Sequence, residues 1–364
     1  MRIVTVVGTR PQLIKLAALQ PALRARHDEV LVDTGQHWDE AMAGGFFAEL
    51  DLPAPDVSLR VAGGGGVDQT GRMLSALEPV LQVQRPDAVL VIGDTNSTLA
   101  GALAGARLGI PVAHVEAGLR SFDRRMPEEV NRVVADHLAR WSFAPTPTAV
   151  ANLAAEGITR DVHLVGDVMQ DLVARMVETV REAPAAPHPT GGYLFATIHR
   201  AENRQPDAVA AWLALLSAVA WPDRPVILAL HPGTRAVLDG LGLRVPADVR
   251  VIEPLGYRAS IAAQLHAAAV LTDSGGVQRE AAWLGTPCIV LRGTTEWVES
   301  VADSGGRTVV VGLDAGLASA ALERLAPVDS AVAEARTRAA SASVPSVGAG
   351  ERIAAVLAAA GAPA

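Results

Sequence analysis

One cysteine, Cys288, occurs in 364 residues, and it lies in the apolar run Pro287-Cys288-Ile289-Val290-Leu291. A disulfide or a cysteine-built metal site within one chain is thereby excluded, and a reducing cytoplasm fits this usage. No stretch of 18 apolar residues occurs, and the opening Met1-Arg2-Ile3-Val4 reaches Gly8-Thr9-Arg10-Pro11 after too few apolar residues for a signal peptide, so no membrane entry is expected. The nine histidines show no H-x-x-x-H spacing, and no metal is expected. A net charge of -8 with a pI near 5.6 gives no general field for nucleic acid or an anionic membrane surface, so any anion must be held locally. Lysine is nearly absent: of 31 lysines and arginines only Lys15 is a lysine. A compact ammonium persisting on an arginine background points to a position that needs it, the alternative being chance retention on a helix surface.

What is present suits a folded globular protein. Half the residues are apolar and glycine and proline are plentiful, the composition of a globular protein long enough for two domains. Short apolar runs at 3–7, 30–32, 88–92, 112–115 and 162–165 read as buried parallel strands. Stretches of helical period, such as Ser97 to Leu108 and Glu128 to Trp141, alternate with them as in βαβ units. The second half repeats the plan at 194–197, 226–230, 249–252, 269–271 and 289–291, which predicts two similar sheets. The proline-rich Glu182 to Gly192 reads as surface chain. The expected division is a first domain over 1–168, a second over 169–345 and a terminal helix in 346–364. Gly63 to Gly66 reads as a flexible loop able to gate a cleft, because four glycines pack nothing.

In open parallel sheets ligands bind beyond the carboxyl ends of the strands. The residues there are Gly8-Thr9-Arg10, Gly35-Gln36-His37, Gly93-Asp94-Thr95, Glu116-Ala117-Gly118, His199-Arg200, His231-Pro232 and Asp273-Ser274-Gly275-Gly276. Asp94 and Glu116 end consecutive strands, so one sheet edge carries both carboxylates. Glu128 opens the next helix after Pro127, with Arg132 four positions on; spacing alone also suits a first-turn acid favoured by the helix dipole. Clustered carboxylates raise one another's proton affinity, which makes general acids and bases near neutral pH. Ser274, Gly275 and Gly276 before a helix suit a phosphate. Glu280 in that helix is placed for ribose hydroxyls or for plain solvation, and Arg292 for a diphosphate. His199 beside Arg200 and Glu202 reads as a proton-transfer or phosphate group. There is no Walker loop and no full G-x-G-x-x-G, so neither ATP nor a dinucleotide is indicated.

These residues, with Gly8-Thr9-Arg10-Pro11, Lys15, His114-Val115-Glu116-Ala117-Gly118-Leu119-Arg120, Pro127-Glu128-Glu129-Val130-Asn131-Arg132, Asp273-Ser274-Gly275-Gly276-Val277-Gln278 and Arg292 to Glu296, run in order through nearly the whole chain. In them the sequence resembles the non-hydrolysing UDP-N-acetylglucosamine 2-epimerases. The resemblance implies an α/β, GT-B-like fold of two Rossmann-like domains whose parallel sheets face a central cleft, a cytoplasmic homodimer, no cofactor, and inversion at C2 of a UDP-linked amino sugar through a 2-acetamidoglucal. It implies acid/base work for Asp94, Glu116 and Glu128, with His199 at the departing diphosphate. Arg10, Lys15, Arg132, Arg200 and Arg292 offset UDP charge in this reading, and Ser274, Gly275, Gly276 and Glu280 hold phosphate and ribose. Which carboxylate is base and which is acid stays open. So do a UDP-diacetamido uronic acid as substrate, a hydrolysing outcome, a GT-B glycosyltransferase and a non-catalytic UDP-sugar binder. Asp39, Asp68 and Ala201 depart from the pattern at the family's regulatory site, which implies weak or absent activation by substrate. Ser260 stands where an aromatic often packs near uracil.

Overall fold

The computed structural model describes residues 1–36, 47, 49–180, 190–295, 297–302, 304–325 and 347–361, with only the backbone of 201, 299 and 300. His37, Asp39, Glu296 and residues 182–189 of the proline-rich stretch, all named from the sequence, lie outside the described residues. Two compact units emerge: Met1–Leu172 with Ser346–Ala364, and Val173–Pro345.

The first unit runs β1 (Arg2–Val7), α1 (Arg10–Arg24), β2 (Asp28–Asp33), β3 (Val57–Ser58), α2 (Gly66–Gln84), β4 (Ala88–Ile92), α3 (Asn96–Arg107), β5 (Val112–Val115), α4 (Pro127–Leu138), β6 (Trp141–Ala144), α5 (Pro147–Ala155), β7 (Val162–Leu164) and α6 (Val168–Val180), within which the division falls. The second holds β8 (Leu194–Ile198), a 3-10 turn at Ala201–Arg204, α7 (Pro206–Val219), β9 (Val226–Leu230), α8 (Pro232–Leu241), β10 (Val249–Ile252), α9 (Tyr257–His266), β11 (Ala269–Thr272), α10 (Gly275–Trp283), β12 (Cys288–Val290), α11 (Val298–Ala302), β13 (Thr308–Val310) and α12 (Ala315–Leu325). The final helix α13 (Ala349–Ala360) returns to the first unit and packs on α1. There Arg26 pairs with Glu351 at 3.0 Å and the His27 ring bonds the Ala354 carbonyl at 2.9 Å. The helices meet at Gly350, where an added Cβ would stand in ordinary contact, 3.4 Å, with the Ala18 carbonyl oxygen.

Both sheets are parallel throughout, in the orders β3-β2-β1-β4-β5-β6-β7 and β10-β9-β8-β11-β12-β13. Strand order therefore reverses between β1 and β4 in one unit and between β8 and β11 in the other, the crevice at which Rossmann-type sheets bind ligands. The central strands are apolar on both faces because helices cover both: every residue of β4 is fully buried. Val4, Val6, Val89 and Val91 pack with Met73, Leu77 and Ala100 in one core, and Leu194, Leu228 and Leu271 with Trp212 and Leu216 in the other.

Two local expectations are corrected. The helix expected to reach Trp141 stops at Leu138, because Ala139 turns extended and the Arg140 amide donates to the Val112 carbonyl at 2.8 Å, starting β6 beside β5. The glycine run is not an unanchored loop. Gly66 already belongs to α2, while Arg72 donates to the Gly63 carbonyl at 2.5 Å, to the Ala62 carbonyl at 3.3 Å and to Asp68 at 2.9 Å.

Candidate active site

At the switch point of the first sheet, Gln12 ties two strand ends together. Its amide oxygen accepts the Gly8 N–H at 2.9 Å, and its NH2 donates to the Ile92 carbonyl at 2.9 Å. Gly8 must lack a side chain here, for a Cβ would fall 1.9 Å from Thr34 Oγ1. One turn further along α1, Lys15 reaches across to Glu116 and forms an ion pair in which the two side chains are 15% and 5% exposed. Glu116 adopts φ +68, a left-handed conformation that costs an L-residue about 1–2 kcal/mol and is stored where surrounding contacts impose it. Gly93 lies against this pair: a methyl on it would be 3.1 Å from Lys15 Nζ and 3.4 Å from Glu116 Oε2. Asp94, the next residue, is held by Arg132, whose other arm reaches Glu129 at 2.6 Å. Burial opposes the Arg132 charge, but Asp94 and Glu129 outweigh it and raise the guanidinium above its ordinary value.

The expected Asp94 and Glu116 therefore share the β4/β5 edge, each with its own cation, and Lys15 and Arg132 are those cations. Glu128 behaves differently. It is exposed in the first turn of α4, and among the described residues neither Asp94 nor Arg132 bonds to it. The buried partner of Arg132 is Glu129, three positions away rather than four, which also accepts the Ser121 and Phe122 amides at 2.9 and 3.0 Å. Burial pushes the Glu129 carboxyl up, but these donors and Arg132 prevail and hold it below the ordinary range. Arg10 is the exposed first residue of α1.

In the second unit the hub is Asp273, fully buried at the end of β11 and named from sequence only as part of its motif. Its carboxylate accepts the His199 amide at 3.1 Å, the Arg200 amide at 2.9 Å and the Asn203 side chain at 2.9 Å, so it fastens the end of β8. His199 Nδ1 lies 3.6 Å from Asp273. Partial burial lowers the His199 ring from its ordinary value, nearby His231, Arg200 and Arg204 add to this, and Asp273 opposes it. Ser274 caps α10, accepting the Val277 amide at 3.4 Å, and Gly275 and Gly276 form the first turn. Glu280 is buried and accepts from Gln264 at 2.7 Å, which decides against plain solvation. Arg292 follows β12 with its Nε 3.4 Å from Glu202. Arg279 lies over the rings of Trp297 and Trp283, at 3.8 and 5.6 Å. Among the described residues no group of three or more His, Cys, Asp or Glu side chains is arranged for a metal, and no helix is long and apolar enough to cross a membrane.

The first unit thus carries two carboxylates paired with cations at its strand ends, and the second a glycine-rich, arginine-flanked helix start. The family model for UDP-N-acetylglucosamine 2-epimerase matches residues 21–358. The chain belongs to the UDP-N-acetylglucosamine 2-epimerase family. It is thus an isomerase by family. A UDP-N-acetylglucosamine 2-epimerase homolog of Methanococcus maripaludis is 44% identical over 86% of this chain and 89% of the relative. The UDP-2,3-diacetamido-2,3-dideoxy-D-glucuronate 2-epimerase of Pseudomonas aeruginosa is also 44% identical, over 86% of this chain and 88% of its own. Among solved structures, the Methanocaldococcus jannaschii UDP-GlcNAc 2-epimerase in complex with UDP-GlcNAc and UDP superposes with a TM-score of 0.83 at 35% identity, covering 98% of this chain and 99% of that one. The epimerase fold is GT-B-like, built of two Rossmann-like units.

Proposed function

We propose that the epimerase interconverts UDP-N-acetylglucosamine and UDP-N-acetylmannosamine. A carboxylate removes the C2 proton as the C1–O bond to UDP breaks, leaving 2-acetamidoglucal and UDP; a carboxyl group returns a proton to the opposite face of C2 as a UDP oxygen re-forms the bond to C1. Asp94, Glu116 and Glu128 are assigned the proton transfers, of which Glu128, exposed at its helix start, has the fewest protein partners competing for it. Lys15 and Arg132 keep Glu116 and Asp94 oriented between turnovers. Ser274, Gly275, Gly276, Arg292 and Arg200 are assigned to the diphosphate, with Arg10 adding positive charge, Glu280 to the ribose hydroxyls and His199 to the leaving oxygen. The observation that carries this reading is the Lys15–Glu116 pair with Glu116 in a left-handed conformation, a strained acid fixed beside Asp94 at the strand ends.

The test is incubation with UDP-N-acetylglucosamine in deuterated water, following C2 by NMR. Deuterium at C2 with a manno-configured UDP-sugar is the expected result. Free N-acetylmannosamine with UDP marks a hydrolysing enzyme, and no exchange with turnover blocked at UDP binding marks a transferase or a binder. Asp94→Asn and Glu116→Gln should each lower kcat by about 100-fold to 10,000-fold, the usual worth of a positioned acid or base. The 44% identity to the Pseudomonas enzyme supports running the diacetamido uronic acid substrate in parallel. The same reading takes the enzyme as a cytoplasmic homodimer, with domains at 1–168 and 169–345 and a terminal helix; light scattering on the purified chain checks the dimer.

A further inference from the structure

Behind the two acids lies a buried polar cluster that the reaction does not touch. His114, fully buried in β5, bonds the Gly93 carbonyl through Nε2 at 2.7 Å and the Asp136 carboxylate through Nδ1 at 2.7 Å. A carbonyl and a carboxylate accept hydrogen bonds, so the ring is held between two acceptors, one on each side. Asp136, on α4 and 1% exposed, also accepts the Gly118 amide at 3.0 Å and Arg120 Nη1 at 2.6 Å. Arg120 in turn forms two parallel bonds to Glu156, at 2.6 and 2.8 Å. Burial pushes the Asp136 carboxyl up, yet His114 and Arg120 overcome it and hold it below the ordinary range.

The placement of these bonds matters. Gly93 carries Asp94 on its carboxyl side, and its own amide donates to the Val115 carbonyl at 2.9 Å, immediately before Glu116. The turn Glu116-Ala117-Gly118 holds two left-handed residues, at φ +68 and +83, and Gly118 admits no Cβ because the Ala149 carbonyl would lie 2.2 Å from it. Asp136 grips that turn by the Gly118 amide, and Asn152 grips its carbonyl at 2.9 Å. One side chain, His114, therefore joins the Asp94 turn to the carboxylate that fastens the Glu116 turn.

We infer that His114 and Asp136 form a positioning pair, which sets the two catalytic acids relative to each other by clamping the Gly93 carbonyl and the Gly118 amide from behind. The inference rests on the assignment of Asp94 and Glu116 to proton transfer. Neither His114 nor Asp136 touches substrate in it, so removing either should cost turnover and leave nucleotide binding in place. A misplacement of about 1 Å at reacting groups lowers rates by about 100-fold.

The experiment compares the full-length chain with Asp136→Asn and His114→Gln. The expected result is a kcat lower by about 10-fold to 100-fold, with the UDP dissociation constant from calorimetry within about twofold, the misplacement being smaller than a full loss of the acid. Folded variants with lower thermal stability and unchanged kcat would make the cluster merely structural and overturn the inference. If neither variant folds, 15N-histidine labelling of the unaltered enzyme decides. One imidazole with both ring nitrogens in hydrogen bonds and its N–H signal protected from exchange supports the clamp, and the absence of any such ring refutes it. Asp94→Asn and Glu116→Gln retaining full kcat would instead sink the assignment of the acids, with the protected ring still observable.

Discussion

Replacing Gly93 by alanine tests the geometry of the acid pair from a residue with no chemistry of its own. Gly93 sits at φ +70, where an L-residue pays about 1–2 kcal/mol. The new methyl would stand 3.1 Å from Lys15 Nζ and in ordinary contact with Glu116 Oε2 at 3.4 Å, so the Lys15 ammonium must give by a few tenths of an ångström. Crowding of this kind adds about 1–2 kcal/mol, for a total of about 2–4 kcal/mol. At about 2–4 °C per kcal/mol for a unit of this size, the melting temperature should fall by about 4–16 °C. Because the displaced group is the cation that orients Glu116, kcat should fall by about 10-fold. Gly157→Ala supplies the control: its φ is +82, but nothing lies within 4 Å of the added methyl. That variant should lose about 2–8 °C from backbone strain alone and keep its kcat. C2 deuterium exchange and differential scanning fluorimetry read both quantities. Equal kcat in the two variants would refute the claim that the Gly93 turn supports the reacting acid.

Ser274→Ala removes the cap that accepts the Val277 amide and should cost about 1 kcal/mol of stability, with UDP binding about tenfold weaker by calorimetry. Burial pushes the Cys288 thiol up to about 12, so Ellman's reagent should find no reactive thiol in the native enzyme and one after unfolding. Asp136, Glu129 and Glu156 are each held below the ordinary carboxylate value. Their stabilisation is complete above that value and is lost as pH falls through their lowered folded values; urea titrations from neutral pH into acid should show this fall, and Asp136→Asn should make it shallower. Asp68 is committed to Arg72, which holds the Ala62 and Gly63 carbonyls. Initial rates should therefore be hyperbolic in UDP-N-acetylglucosamine, and a sigmoidal curve abolished by substitution at Asp39 or Asp68 would contradict this.

The strands were legible wherever burial on both faces leaves an unbroken apolar run, as at Ala88–Ile92, Val112–Val115 and Val226–Leu230. β3, of two residues, and β6, separated from α4 by two residues carrying no break signal, were not legible, because pairing with an existing sheet edge rather than local propensity makes them strands. The residues that follow each run were enough to nominate the site, since a parallel sheet always presents its carboxyl ends at one edge. Partnerships were another matter. Lys15 and Glu116 are 101 positions apart, and spacing marked Glu128, not Glu129, as the companion of Arg132. Adjacent acids in a first helical turn look alike in sequence; which one turns inward depends on where the Ser121 and Phe122 amides arrive from another part of the chain. The sequence thus determined the sheet plan and the chemical inventory, because both follow from local hydrophobicity and residue type. Only the tertiary structure decided which charges neutralise one another and which residues brace them, because those choices depend on contacts between segments that lie far apart along the chain.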